Sequence, residues 1–300
     1  MSHPIVILQE RDSAFAARLA RAIASGGTDC LLRSLDAPFV GGAVRVDDEH
    51  LVWEGTNLRE VGAIFLERPL FPWPQPASLG TLAVPREDRA RVVDRQARSL
   101  AISALMTAAS SRPVVNRPES GALAASRAIA LAELEAANVP VCPWSVISAP
   151  AVTHESEALF VDLIGRERWH RPSRPPAGDP CLSLGTAPGH VLALILVGGE
   201  PAGAVRYASA ARWSMGEGGG PVAPEGIPKE AASTAARAAA ALKLEIAEIS
   251  VINGPSGPQV LLVEPGPDLD AWDTIFAGGL AARIARRLVE ITESEGGGNS

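Results

Sequence analysis

Glu264 is the residue whose placement invites chemistry. It closes the run Gln259–Glu264, QVLLVE, in which Val260 to Val263 are apolar without a break. Such a run reads as a strand buried on both faces. A carboxylate at its end is costly unless a cation, a hydrogen-bond donor or water meets it. The plainer use of Glu264 is to reach solvent or an arginine at the strand end. The chain's cations are almost all arginine, 25 Arg against two Lys, Lys229 and Lys243. Four of these arginines, including Arg171 and Arg174, crowd the proline-rich stretch 166–180, which reads as a basic loop. Other chemistries find less support. His50, His154, His170 and His190 share no metal-ligand spacing, and no serine sits in a G-x-S-x-G elbow. Gln9-Glu10-Arg11-Asp12 follows the first apolar run where a dinucleotide site would carry glycines.

The elements that must position Glu264 can be traced backward along the chain. Glu245–Ile252, EIAEISVI, is a strand rich in β-branched residues, and the turn through Asn253-Gly254 and Pro255–Pro258 returns it to QVLLVE. Ala231–Leu242 is a helix by propensity. His190–Val197 and Pro201–Ala208 form a hairpin around Gly198-Gly199, and Trp213–Gly226 is a glycine-rich excursion. Phe276, Leu280, Ile284 and Leu288 recur at helical spacing and predict a long amphipathic helix. The N-terminal third alternates strand and helix: Pro4–Gln9, a helix capped at Asp12 or Ser13, Cys30–Leu35, a small hairpin of Val44–Val46 with Leu51–Trp53, and Val61–Leu66. That order predicts a Rossmann-like α/β layer. Phe71–Pro85 reads as a loop carrying Trp73, Arg86–Ala109 as a long helix, and Ala124–Ala137 as a helix ended by Asn138. Trp144–Ile147 is a strand, Glu155–Ile164 a helix, and Glu293–Ser300 a disordered tail.

The 300 residues allow a sizeable core, and 47% hydrophobic with 20% charged residues is a globular composition. A net charge of −7 argues against nucleic acid as a partner. No run is long enough to cross a membrane, and charge comes too early at the N-terminus for a signal peptide. Cys30, Cys142 and Cys181 fit buried thiols in a cytoplasmic protein.

A strand, a turn, a second strand ending in a carboxylate, then Pro and small residues and a long helix resemble the C-terminal part of the ATP-grasp superfamily, in the branch of glutathione synthetase and the ribosomal-protein glutamate ligases. Pro113–Pro118, Val139–Pro143, His190–Tyr207 and Ala231–Leu244 resemble that branch in the same order. The resemblance covers the chain from about residue 112 to 288. It implies an α/β fold with a pre-ATP-grasp domain at 1–111, a central subdomain at 112–188 and a C-terminal subdomain at 189–292. It also implies an activity. ATP phosphorylates a carboxylate, and an amine displaces the phosphate, with Mg²⁺ and cationic side chains carrying the charge.

Placed on this chain, the family's metal-ligating Glu is Glu264, its Asp falls on Ser250 and its Asn on Gly266. Arg127 stands where the family has the phosphate-binding lysine at a helix start. Arg171 and Arg174 are the nearest candidates for its second lysine. Arginine keeps the charge, but its fork is not equivalent to an ammonium. Arg206 matches an acyl-phosphate-binding arginine, while Ser214 and Gly216 replace the family's other two groups there, with Arg212 nearby. Asp268 and Asp270 are candidate replacement oxygens, Asp268 for the metal. Two readings stand side by side. One is an ATP- and Mg²⁺-dependent carboxylate–amine ligase acting on small-molecule acids and amines, in amino-acid or glutamate ligation. The other is a pseudoenzyme that holds a metabolite or partner protein on the same scaffold. The resemblance further implies a homodimer, or a partner subunit. A Rossmann-type cofactor binder is a third and weaker reading.

Overall fold

The computed structural model describes residues 3–9, 13–35, 37–38, 44–47, 50–68, 100–147, 158–162, 170–171, 181–186 and 188–296. They form two compact units, 1–122 with 284–300 and 123–283.

The first unit holds β1 (Ile5–Gln9), α1 (Ala14–Ser25), β2 (Cys30–Ser34), β3 (Val44–Val46), β4 (Leu51–Trp53), β5 (Thr56–Asn57), β6 (Ala63–Leu66), the helix α2 at 100–109, and β7 (Val114–Val115). α3 (Pro118–Ala125) follows, crossing its boundary. The strand order is β2-β1-β6-β7, all parallel, so β1 is flanked on both sides and reads as the unbroken apolar run a doubly covered strand requires. The expected small hairpin is present as β3-β4, extended by β5. Ser13 is the cap of α1, its hydroxyl accepting from the Ala16 N–H at 3.1 Å. Trp53 is fully buried among Val6, Leu8, Leu58, Ile64 and Leu105, and its indole N–H donates to the Ser34 carbonyl at 2.9 Å. Trp73 and the expected helix before residue 100 lie outside the described residues.

The second unit carries two antiparallel sheets. α4 (Arg127–Ala136) leads into β8 (Trp144–Ile147), β9 (Ala158–Asp162), β10 (His170–Arg171) and β11 (Cys181–Gly185), ordered β10-β9-β11-β8. Then come β12 (His190–Val197), β13 (Glu200–Tyr207), α5 (Ala210–Met215), β14 (Gly220–Val222), α6 (Lys229–Ala241), β15 (Ile246–Gly254), β16 (Gly257–Glu264), α7 (Leu269–Ile275) and α8 (Gly279–Gly296), which from residue 284 belongs to the first unit. The larger sheet runs β14-β13-β12-β15-β16. β12 lies at its centre with seven consecutive buried residues. Each of its buried Val, Leu and Ile side chains contributes about 1.5–3 kcal/mol. α6 buries Ala231, Ala235, Ala238 and Ala239, whose small side chains let the helix lie close against the strands.

Several sequence expectations are corrected. Residues 158–162 are a strand, where a helix was expected. Leu159 and Val161 alternate inward, and pairing with two neighbours outweighs helix propensity. His170 and Arg171 are also a strand, in the stretch read as a basic loop, because they complete the edge of that sheet. The excursion after Trp213 contains part of α5 and all of β14. The helix expected at 124–137 is two helices, broken at Ser126, and Asn138 closes the second with φ +55°. α8 runs to Gly296, into the stretch expected to be disordered. No helix among the described residues is long and apolar enough to cross a membrane. Cys142 and Cys181 are buried and Cys30 is partly so, and burial pushes the Cys30 and Cys142 thiols up to about 11 and about 12.

Candidate functional site

The strand pairing decides which polar groups can meet. Leu192 pairs with Arg206 on one side and Val251 on the other. Successive side chains alternate across a strand, so Arg206 stands on the face of Leu192 and Val251. Ser250 and Glu248 stand on the opposite face. Glu264 is paired directly with Glu248 across the hairpin, so it shares their face. The larger sheet therefore has one face bearing Glu248, Ser250 and Glu264, and another bearing Arg206.

On the first face, Arg127 is the opening residue of α4 and is 2% exposed. Its guanidinium Nη2 lies 4.0 Å from Oε2 of Glu264, whose side chain is 17% exposed. The Glu264 Oε1 accepts from the Gly266 N–H at 3.2 Å. The cation that a strand-end carboxylate requires is thus supplied by the protein itself. Glu248, 4% exposed, accepts from the Trp272 indole N–H at 2.8 Å. Trp272 stacks on Phe276 with centroids 5.9 Å apart and planes 6° apart. The Phe276 ring leans over Gly203, where an added Cβ would come within 2.4 Å of it. Glycine at 203 is what allows that approach. Ser250 is 2% exposed beside these groups.

On the second face Arg206 is exposed and neighbours His190, whose pKa is lowered by burial and then by the Arg206 charge. Asn253 Nδ2 lies 3.4 Å from Nε2 of the same imidazole.

The remaining candidates fall into place one by one. Asp268 is the N-cap of α7, accepting from the Ala271 N–H at 3.0 Å, and Asp270 lies in the first turn of that helix. Arg212 pairs with Glu217 at 3.1 Å on the surface. Arg171 is on β10 opposite Phe160, and Arg174 lies outside the described residues. The structure thus brings Arg127 to Glu264 and does not bring Arg206 to either.

Glu248 is the residue that sequence reasoning passed over. Its signal was present, an acidic residue inside an otherwise apolar strand, two residues before Ser250 and so on the same face. As a Mg²⁺ centre the set fits poorly. Mg²⁺ needs one or two free carboxylates, with waters and substrate phosphates completing its octahedron. Here Glu264 is engaged by a guanidinium, Glu248 by an indole N–H, Ser250 offers only a hydroxyl and Gly266 no side chain. No group of three or more His, Cys, Asp or Glu side chains among the described residues is arranged to hold a metal.

No family model matches the chain, and no curated protein sequence matches it. Solved structures do. The ATP-grasp ligase PsnB, complexed with a minimal precursor, superposes with a TM-score of 0.74 at 14% identity, covering 97% of this chain and 99% of that one. The macrocyclase MdnC from Microcystis aeruginosa MRC, bound with the precursor peptide MdnA, gives 0.65 at 13% identity over 95% and 99%. A RimK-domain ATP-grasp protein from Sphaerobacter thermophilus gives 0.61 at 16% identity over 95% and 99%.

Proposed function

We propose, on the premise that this chain has the ATP-grasp fold, that it uses the scaffold to hold a peptide or protein partner without metal-dependent turnover of ATP. The observation that carries this reading is the Arg127–Glu264 pair. The one carboxylate that matches the family's metal ligands is already neutralised by a guanidinium 4.0 Å away. A Mg²⁺ placed on Glu264 would stand beside that guanidinium. A divalent cation and a guanidinium sharing one carboxylate would repel each other. Ser250 and Gly266 supply no carboxylate or amide to offset it. The precursor peptides held by PsnB and MdnC support a peptide or protein as the partner.

A second reading has its own observation. Glu248 and Glu264 face each other across the hairpin with Ser250 on the same face. A shifted ligand set built from them would serve an active carboxylate–amine ligase. In that case ATP and Mg²⁺ are the cofactors, Arg127, Arg171 and Arg174 approach the phosphates, and small-molecule or peptide carboxylates and amines are the substrates.

Calorimetry of the purified chain with ATP, with and without excess MgCl₂, decides between the two. The binding-scaffold reading expects no Mg²⁺-dependent heat at millimolar ATP and no ADP release with added amino acids. Mg²⁺-dependent binding that weakens in both Arg127→Ala and Glu264→Ala would overturn it in favour of the ligase.

A further inference from the structure

The opposite end of the β15–β16 hairpin from Glu264 carries a second polar feature. A groove of about 510 Å³ opens there, lined by Pro140 and by Ser256, Pro258 and Gln259 around the hairpin turn, and by residues of the first two turns of α6. Those residues are Lys229, Glu230, Ser233 and Thr234. Gln259, the lining residue nearest Glu264 along β16, is five residues from it, or roughly 17 Å at about 3.3 Å per residue, so the groove is distinct from the Arg127–Glu264 pair.

Thr234 is the informative residue. It is 5% exposed and yet lines the groove. A helical threonine ordinarily satisfies its hydroxyl on the carbonyl four residues back. Thr107, Thr274 and Thr292 do so here, to Ser103, Asp270 and Leu288. Thr234 makes no such bond, and its hydroxyl has no hydrogen-bond partner among the described residues. With no partner among the described residues, the hydroxyl is left to water or a ligand in the groove.

The electrostatics around it favour a negative group. Lys229 supplies a positive charge at the groove wall. The N-cap of α6 is Pro228, which has no side-chain oxygen, so no side chain caps the first turn of this 13-residue helix, and Glu230 is the acidic residue in that turn. Ser233 and Gln259 add neutral donors, and Glu230 is the one opposing charge.

We propose that this groove binds an oxyanion, the carboxylate of an acidic peptide or a phosphate group, with Lys229 as the charge partner and the Thr234 hydroxyl as a neutral donor. The occupancy is independent of ATP, so its failure and the failure of the reading above are separate results.

The test is an amide NMR titration of the full chain with two probes, sodium phosphate and an N-acetylated tetraglutamate peptide. Saturable shifts are expected at Glu230, Ser233, Thr234 and Gln259, weakening as NaCl is raised. Thr234→Val keeps the shape and should weaken binding about fivefold, the effect of one hydrogen bond. Lys229→Gln, at an exposed position, should weaken it at least as much and flatten the salt dependence. Tighter binding of the peptide identifies a carboxylate carrier, and tighter binding of phosphate a phosphate group. Shifts that do not saturate with either probe would overturn the proposal. So would affinities unchanged in both variants when their spectra otherwise match the parent.

Discussion

The two faces of the larger sheet in the second unit solve the same problem differently. Both carry charge at strand positions. On one face Arg127, Glu248 and Trp272 are buried and Glu264 is partly so, with Arg127 4.0 Å from Glu264 and the Trp272 indole donating to Glu248. On the other, Arg206 is exposed beside the partly buried His190, and water does most of the solvation. A buried charge depends on its partner, because removing one member leaves the other unsolvated. An exposed charge has little to lose. The sequence match ranked Arg206 with Glu264. The pairing register separates them.

The largest effect expected from breaking this contrast is at Arg127. Arg127→Met should destabilise the fold by about 3 kcal/mol, because Glu264 keeps its charge and loses its cation. Adding Glu264→Gln should recover part of that loss. Urea unfolding of the two single variants and the double variant measures the coupling, and additive losses would show that the pair is not energetically real. Trp272→Phe keeps the stack on Phe276 but removes a donor to Glu248, and should cost about 1–2 kcal/mol in the same assay.

Arg206→Ala should be the smallest, within about 0.5 kcal/mol, with its readout at His190 instead. The imidazole pKa is held below its ordinary value in the folded state. The neutral form is therefore favoured by folding, and stability is lost as pH falls through the imidazole range. Removing Arg206 takes away the smaller of the two causes, so the His190 pKa should rise and that acid-side loss should shrink. A His190 titration followed by NMR that does not move would show that the two groups do not interact.

Much of this was legible in the chain. The β1–β2–β6 layer, the two hairpins of the larger sheet and α6 follow from runs of apolar residues punctuated by glycine, proline and asparagine, which act locally. The errors came where a segment's state depends on distant partners. Residues 158–162 are a strand because β11 and β10 flank them. His170 and Arg171 are ordered by pairing, within a stretch whose composition says loop. Asp268, a candidate metal oxygen in the sequence, stands in the structure as the N-cap of α7.

By itself the sequence determined the fold class, the buried hairpin ending in Glu264, and the need for something positive to meet that carboxylate. Those rest on local propensity, hydrophobic period and the desolvation cost of charge, all of which are properties of short stretches. Only the tertiary structure decided that the positive group is Arg127, 137 residues earlier in the chain. It likewise decided that Glu248 joins the pair through strand register, that Arg206 turns away from it, and that Thr234 opens onto a groove. Which charges share a face depends on strand pairing between distant segments, and a one-residue change of register reverses every side chain on a strand.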